Sequence, residues 1–161
     1  MPEKILIVDD DMETLRLVGM MLQRQGYEIA AANTGELALE TAVKVKPSLI
    51  ILDVVMPGMD GYQIARELRK NPLCTHIPIL MFTAKNQMGD KIAGYGAGAD
   101  DYLTKPVHPA ELNAHVKALL DRMKKIKNTP EESGSGCIIG VLGCKGGLGV
   151  STLVLNLAVS L

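Results

Sequence analysis

The sequence predicts an α/β fold with a doubly wound, five-stranded parallel sheet, on three observations. Five short strand-like runs punctuate the sequence, and Ser48–Leu52, rich in Ile and Leu, lacks polar alternation, the pattern of a strand buried on both faces. Stretches with apolar residues at helical spacing follow these runs, and strands alternating with helices build parallel sheets through right-handed crossovers. Acidic, hydroxyl and basic residues stand at the carboxyl ends of the runs, the edge of an open parallel sheet where sites gather.

Lys4–Val8 is the first strand and ends in Asp9-Asp10-Asp11. Met12–Gln25 carries Leu15, Val18 and Leu22 in helical register, with Gly26 placed to stop it. Tyr27–Ala32 is the second strand. Asn33-Thr34-Gly35-Glu36 then offers an N-cap for a helix through Leu37, Ala38 and Val45 to Pro47. The third strand, Ser48–Asp53, feeds the Pro/Gly-rich loop Val54-Val55-Met56-Pro57-Gly58-Met59-Asp60-Gly61. Tyr62–Lys70 is a helix with Ile64, Ala65 and Leu68 on one face, closed by Asn71-Pro72. Pro78–Ala84 is the fourth strand, and a helix weakened by Gly89, Gly94 and Gly96 is expected over Met88–Ala97. Asp101–Lys105 is a short fifth strand broken by Pro106, and Pro109–Lys125 is a helix with Leu112, Val116, Leu119 and Met123 in register. No internal repeat is visible.

At 161 residues the chain has room for one full domain and part of another. A net charge of −1 and a pI near 6.3 do not indicate a nucleic-acid surface. The basic cluster at Arg122–Lys127 reads as a solvated helix end. Cys74, Cys137 and Cys144 have the spacing of neither a disulfide framework nor a zinc site, which agrees with a reducing cytoplasm. Met1-Pro2-Glu3-Lys4 runs straight into a strand and lacks the form of a signal peptide. With no Trp and one Phe, the core must be built from Ile, Leu, Val, Met and Ala.

Residues 127–136 are polar and rich in Gly, Ser, Pro and Glu, the composition of a flexible linker between a domain at 1–126 and a further segment at 137–161. That segment reads as a strand, Ile138–Gly143, then the Gly-rich turn Cys144-Lys145-Gly146-Gly147-Leu148-Gly149-Val150-Ser151-Thr152, then an apolar helix. Strand, Gly-rich turn and helix form a phosphate cradle of backbone N–H groups. The ordinary P-loop has Lys after its last Gly; here Val150 stands there and Lys145 precedes the glycines. A membrane span over Cys137–Leu161 is the competing reading. Lys145 at mid-span, at roughly 2.5–3.5 kcal/mol on insertion scales, and the many glycines argue against it.

The strand ends make an acidic pocket. Asp9 and Asp10, Asp53, Thr83 and Lys105 all lie at carboxyl ends of strands and so face one edge of the sheet. Clustered carboxylates repel one another unless a cation joins them, and oxygen-only ligation suits Mg²⁺. An aspartate can attack phosphorus to give an acyl phosphate, whose oxygens then need positive charge and donors, available from Lys105 and Thr83. Taken singly, Asp53 reads as a strand terminator, Thr83 as a strand residue, Lys105 as a surface lysine and Tyr102 as a core aromatic. As a set at matching positions, the five residues point to a site.

Val8-Asp9-Asp10, Leu52-Asp53-Val54-Val55-Met56-Pro57-Gly58-Met59-Asp60-Gly61, Thr83-Ala84 and Asp101-Tyr102-Leu103-Thr104-Lys105-Pro106 resemble the receiver domain of two-component response regulators. The resemblance runs from about Lys4 to about Met123, and no pocket position departs from the pattern. It implies a flavodoxin-like, CheY-like fold with strand order 2-1-3-4-5. Asp53 would be the phospho-acceptor, and Asp9, Asp10, Asp53 and the Val55 backbone carbonyl would hold Mg²⁺. Lys105 and Thr83 would sense the phosphoryl group, Tyr102 would be the aromatic switch filling space that Thr83 vacates, and the bond before Pro106 would be cis. The glycine-rich helix expected over Met88–Ala97 would be a moving part. A sensor histidine kinase or phosphotransfer protein would be the partner.

Lys145-Gly146-Gly147-Leu148-Gly149-Val150-Ser151-Thr152 resembles the deviant Walker A of the MinD/ParA ATPases and, behind a receiver, the TadZ/CpaE type of pilus-assembly protein. That resemblance implies nucleotide contacts at Lys145, Gly146, Gly147, Gly149, Ser151 and Thr152, with Lys145 as signature lysine and Ser151 at the Mg²⁺ position. The absence of a second lysine, at Val150, counts against strong hydrolysis. With the sequence stopping at Leu161 inside the first helix, a truncated P-loop unit is expected, binding ATP only in a longer chain. Two functions follow: a non-enzymatic signalling switch phosphorylated at Asp53, or a localisation and assembly scaffold in which the receiver fold mediates homodimerisation or docking.

Overall fold

The computed structural model describes residues 2–84 and 98–128. Five strands, β1 (Lys4–Val8), β2 (Glu28–Ala32), β3 (Leu49–Asp53), β4 (Ile79–Ala84) and β5 (Asp101–Lys105), pair in parallel in the order β2-β1-β3-β4-β5. This is the expected flavodoxin-like order. Helices α1 (Met12–Gln23), α2 (Gly35–Val45) and α3 (Gly61–Lys70) and a long helix, Pro109–Asn128, cover the sheet.

Strand periodicity decides which face each helix takes. Ile5 and Ile7, Leu49 and Ile51, Leu80 and Phe82, and Leu103 pack with Leu15, Val18 and Leu22 of α1 and with Leu112, Val116 and Leu119 of the long helix. The intervening residues Leu6, Val8, Ile50, Leu52, Ile79, Met81 and Tyr102 pack with Ala38 and Ala42 of α2 and Ile64, Ala65 and Leu68 of α3. Successive side chains point to opposite faces, so an unbroken apolar strand supplies two cores at once. β3 is buried at all five positions, as its central place in the sheet requires.

Several predicted ends move. The first helix stops at Gln23 rather than Gln25, because Gln25 and Gly26 donate back to Leu22 and Gln23 in a tight turn, and the second strand begins at Glu28. Thr34 caps α2 as expected, accepting from the Leu37 amide, but that helix ends at Val45 with Lys46 in the left-handed region (φ 49°) ahead of Pro47. Asn71 closes α3 with an extended ψ of 118°, the conformation that the following proline imposes. The long helix runs to Asn128, so the linker does not begin at 127: Lys124, Lys125 and Lys127 are good helix formers and carry the helix through. The helix expected over Met88–Ala97, the rest of the linker and the P-loop residues Lys145, Gly146, Gly147, Gly149, Ser151 and Thr152 lie outside the described residues.

Candidate functional site

Parallel register aligns Val8, Leu52, Met81 and Tyr102 in one row across β1, β3, β4 and β5. The residues just beyond this row are Asp9, Asp53, Thr83 and Lys105, so the topology gathers them at one edge. Asp9, Asp53 and Thr83 are buried, at 1%, 6% and 2% exposure, while the neighbouring Asp10 is open to solvent. Carboxylate oxygens of Asp9, Asp10 and Asp53 lie within 4.8 Å of one another.

Lys105 joins the cluster. Its Nζ is 2.6 Å from Asp9 Oδ2 and 3.0 Å from Asp53 Oδ1, and it sits 5.0 Å from the centre of the Phe82 ring. Asp9 is held on its other oxygen too, where Oδ1 accepts the Asp11 amide at 3.0 Å. Asp11 in turn caps α1, accepting from the Glu13 and Thr14 amides and the Thr14 hydroxyl. The start of α1 is thereby tied to the site.

Burial pushes the Asp53 carboxyl above its ordinary range, against the opposing pull of the Lys105 ammonium. Burial also works against the charge of Lys105, but the hydrogen bonds it donates to Asp9 and Asp53 outweigh it and raise its pKa. Three carboxylates and one ammonium sum to a formal charge of −3 + 1 = −2. An all-oxygen donor set with that residual charge and one open side, at Asp10, fits a small divalent cation.

The other expected residues fall as follows. Thr83 Oγ1 donates to the Ala84 carbonyl at 3.3 Å. Val55, two residues beyond Asp53, is half-exposed (53%). The Lys105–Pro106 bond is cis. Tyr102 is 9% exposed and packs in the cluster with Met81 and Ile77, so its ring is already interior in the state described.

The sequence reading passed over two contributors. Gly61 brings α3 against the site: a Cβ there would fall inside van der Waals contact of the Asp53 carbonyl oxygen and 2.9 Å from Val54 Cα. The capping box of Asp60 and Gln63, legible as Asp-x-x-Gln, fixes that helix start. Asp11 is the other, masked in the run Asp9-Asp10-Asp11 by its neighbours. Among the described residues no helix is long and apolar enough to cross a membrane.

A family model described as the response regulator receiver domain matches residues 5–117. The alkaline phosphatase synthesis transcriptional regulatory protein PhoP of Bacillus subtilis is 48% identical over 122 residues, covering 76% of this chain and 50% of that protein. The chain spans about half the length of the curated relatives it matches. Among solved structures, a CheY-like response regulator receiver domain protein from Methanospirillum hungatei superposes with a TM-score of 0.73 at 30% identity, covering 78% of this chain and 99% of that one. The receiver domain of a sensor histidine kinase from Pseudomonas aeruginosa, solved with a magnesium ion coordinated in its active-site cleft, gives 0.70 at 30% identity over 75% of this chain and 99% of that one.

Proposed function

The chain belongs to the response regulator receiver domain family, and from that membership we propose that it is a phosphorylatable switch with Asp53 as the acceptor. One observation carries the assignment: the Lys105 ammonium stands between Asp9 and Asp53 at the carboxyl edge of the sheet. A carboxylate there can attack a phosphorus atom while a cation faces the developing charge.

In the proposed reaction an Asp53 carboxylate oxygen forms a bond to phosphorus of a phosphohistidine on a sensor kinase or phosphotransfer protein. The phosphorus–nitrogen bond breaks, and the histidine leaves with the electron pair and takes up a proton. Asp9, Asp10, Asp53 and the Val55 carbonyl would hold Mg²⁺, which when bound neutralises phosphoryl oxygens. Lys105 supplies the fixed positive charge for the same oxygens, and Thr83 the hydroxyl. We assign the chain no enzymatic activity beyond hydrolysis of its own acyl phosphate, and a cytoplasmic location, where such kinases present their phosphohistidine.

The output is the second part of the proposal. The order of Lys145, the glycines and Ser151 favours a MinD/ParA-like nucleotide-binding module after the receiver, of the pilus-assembly type, binding ATP in a longer chain. The name of the Bacillus relative favours instead a transcriptional output. The Gly-rich turn supports the first, the relatives named as transcriptional regulators support the second, and nucleotide binding by the product of the whole gene decides between them. A scaffold role through receiver dimerisation is compatible with either.

The acceptor is tested with acetyl phosphate and Mg²⁺. Wild type should gain one phosphoryl group, and both Asp53→Asn and added EDTA should abolish the gain. Modification that persists in Asp53→Asn moves the acceptor elsewhere.

A further inference from the structure

At the opposite edge of the sheet, Arg69 at the end of α3 binds two separate segments, residues 75–77 and 98–100. Its Nε donates to the Gly98 carbonyl at 3.0 Å, Nη1 to the carbonyls of Thr75 (3.0 Å) and Ile77 (2.7 Å), and Nη2 to Asp100 Oδ2 at 2.7 Å. The same Asp100 oxygen accepts the Ile79 amide at 2.8 Å, and the Asp100 amide donates to the Ile79 carbonyl at 2.9 Å. Arg69 Cγ lies 2.7 Å from where a Cβ of residue 98 would stand, so Gly98 makes room for it. One guanidinium thus fixes the entry of β4 and the entry of β5 to α3.

β5 is an edge strand, laddered to β4 on one side. An inner strand is located by two neighbours, whereas an edge strand relies more on pins at its ends. β5 has such pins. Arg69 and Asp100 hold its entry, His115 Nδ1 meets Asp101 Oδ2 at 2.6 Å on its flank, and Lys105 reaches Asp9 and Asp53 at its exit. Asp9 and Asp10, by contrast, follow β1, and Asp53 ends β3, an inner strand held by β1 as well as by β4; the Arg69 hydrogen bonds go to neither β1 nor β3.

We propose that Arg69 is a positioning residue for Lys105: by pinning the entry of β5 it sets where the ammonium at the exit stands, and so tunes capture of the phosphoryl group without affecting the carboxylates. The inference rests on the proposed role of Lys105. It predicts a separation that general loosening of the fold would not give. Phosphoryl capture should weaken while divalent-cation affinity stays the same.

The experiment compares wild type, Arg69→Ala and Arg69→Lys, titrating Mg²⁺ alone and then beryllofluoride, a phosphoryl mimic, at saturating Mg²⁺. Lysine lacks the planar fork that reaches several carbonyls at once, so Arg69→Lys should behave like Arg69→Ala. Both should bind beryllofluoride about two- to thirtyfold more weakly, the range of couplings carried through packed elements, with Mg²⁺ affinity unchanged. Asp100→Asn, which keeps an oxygen for the Ile79 amide but loses the charge pairing, serves if the Arg69 variants do not fold, and should show the same separation. Unchanged beryllofluoride affinity overturns the proposal, as does a parallel fall in Mg²⁺ affinity. A wild type that takes up no beryllofluoride overturns the reading of the site itself, and this inference with it.

Discussion

Lys105 lies nearer to Asp9 than to Asp53: Nζ is 2.6 Å from Asp9 Oδ2 and 3.0 Å from Asp53 Oδ1. The ammonium is therefore the cation that keeps two buried carboxylates together, in addition to any part in sensing phosphate. Replacing Lys105 by Met keeps most of the volume and removes the charge, leaving the site at −3 rather than −2.

Two consequences of Lys105→Met should appear together. In EDTA the variant should be destabilised by about 1–3 kcal/mol, the cost of taking the charged donor from two buried carboxylates. Mg²⁺ should then bind more tightly than in wild type and raise the melting temperature further, following RT ln(1 + [L]/Kd). Thermal melts across a Mg²⁺ series check both; equal Mg²⁺ shifts in the two proteins would mean that Lys105 does not share the carboxylates with the ion.

The raised pKa of Asp53 sets a pH dependence opposite to that of a salt-bridged surface carboxylate. In the window just above its ordinary 3.8 the folded state holds more protons at this group than the unfolded chain, so its contribution favours folding at low pH and is lost as pH rises. At neutral pH without divalent cation, Asp53 is thus a net cost. Asp53→Asn should raise the unfolding midpoint by a few degrees, which for a domain of this size is about 1 kcal/mol. The gain should shrink towards acid pH. Exposed Asp11, lowered chiefly by its bond from Thr14, slopes the other way, so the wild-type and Asp53→Asn curves must be subtracted to isolate the effect. A midpoint difference that does not change with pH would contradict the raised Asp53 pKa.

The legible part of this molecule is what chain order alone dictates. Unbroken runs such as Leu49–Asp53 predict buried parallel strands, and parallel strands necessarily bring Asp9, Asp53, Thr83 and Lys105 to one edge, whatever the details of packing. What escaped the sequence depends on distances between remote residues. Arg69 looks like a solvated basic residue at a helix end, and its importance comes from loop carbonyls that no side-chain pattern marks. Gly61 looks like a turn residue, yet its place is set by the Asp53 and Val54 backbone. Tyr102 is legible singly as a core aromatic, and its 9% exposure beside Met81 agrees with that reading.

Gly61 allows the last test, because it separates a structural support of the site from its chemistry. The Gly61 amide donates to the Val54 carbonyl at 2.9 Å, so the first turn of α3 lies directly on the backbone that carries Asp53. Both groups that a Cβ would strike there are main chain, which cannot rotate aside as a side chain can. Gly61→Ala must therefore push α3 away or shift the end of β3. Overpacking of this kind costs roughly 1–3 kcal/mol. Because the displaced atoms include the Asp53 carbonyl, Mg²⁺ affinity and acetyl-phosphate labelling should fall with stability, although residue 61 has no side chain to contribute to either. Leu73→Ala, at a half-exposed position distant from the strand ends in sequence, gives the comparison: it should leave Mg²⁺ affinity as in wild type. Should Gly61→Ala bind Mg²⁺ as wild type does while melting lower, the loop would be a spacer only, and the position of Asp53 would be fixed by the β3 ladder alone.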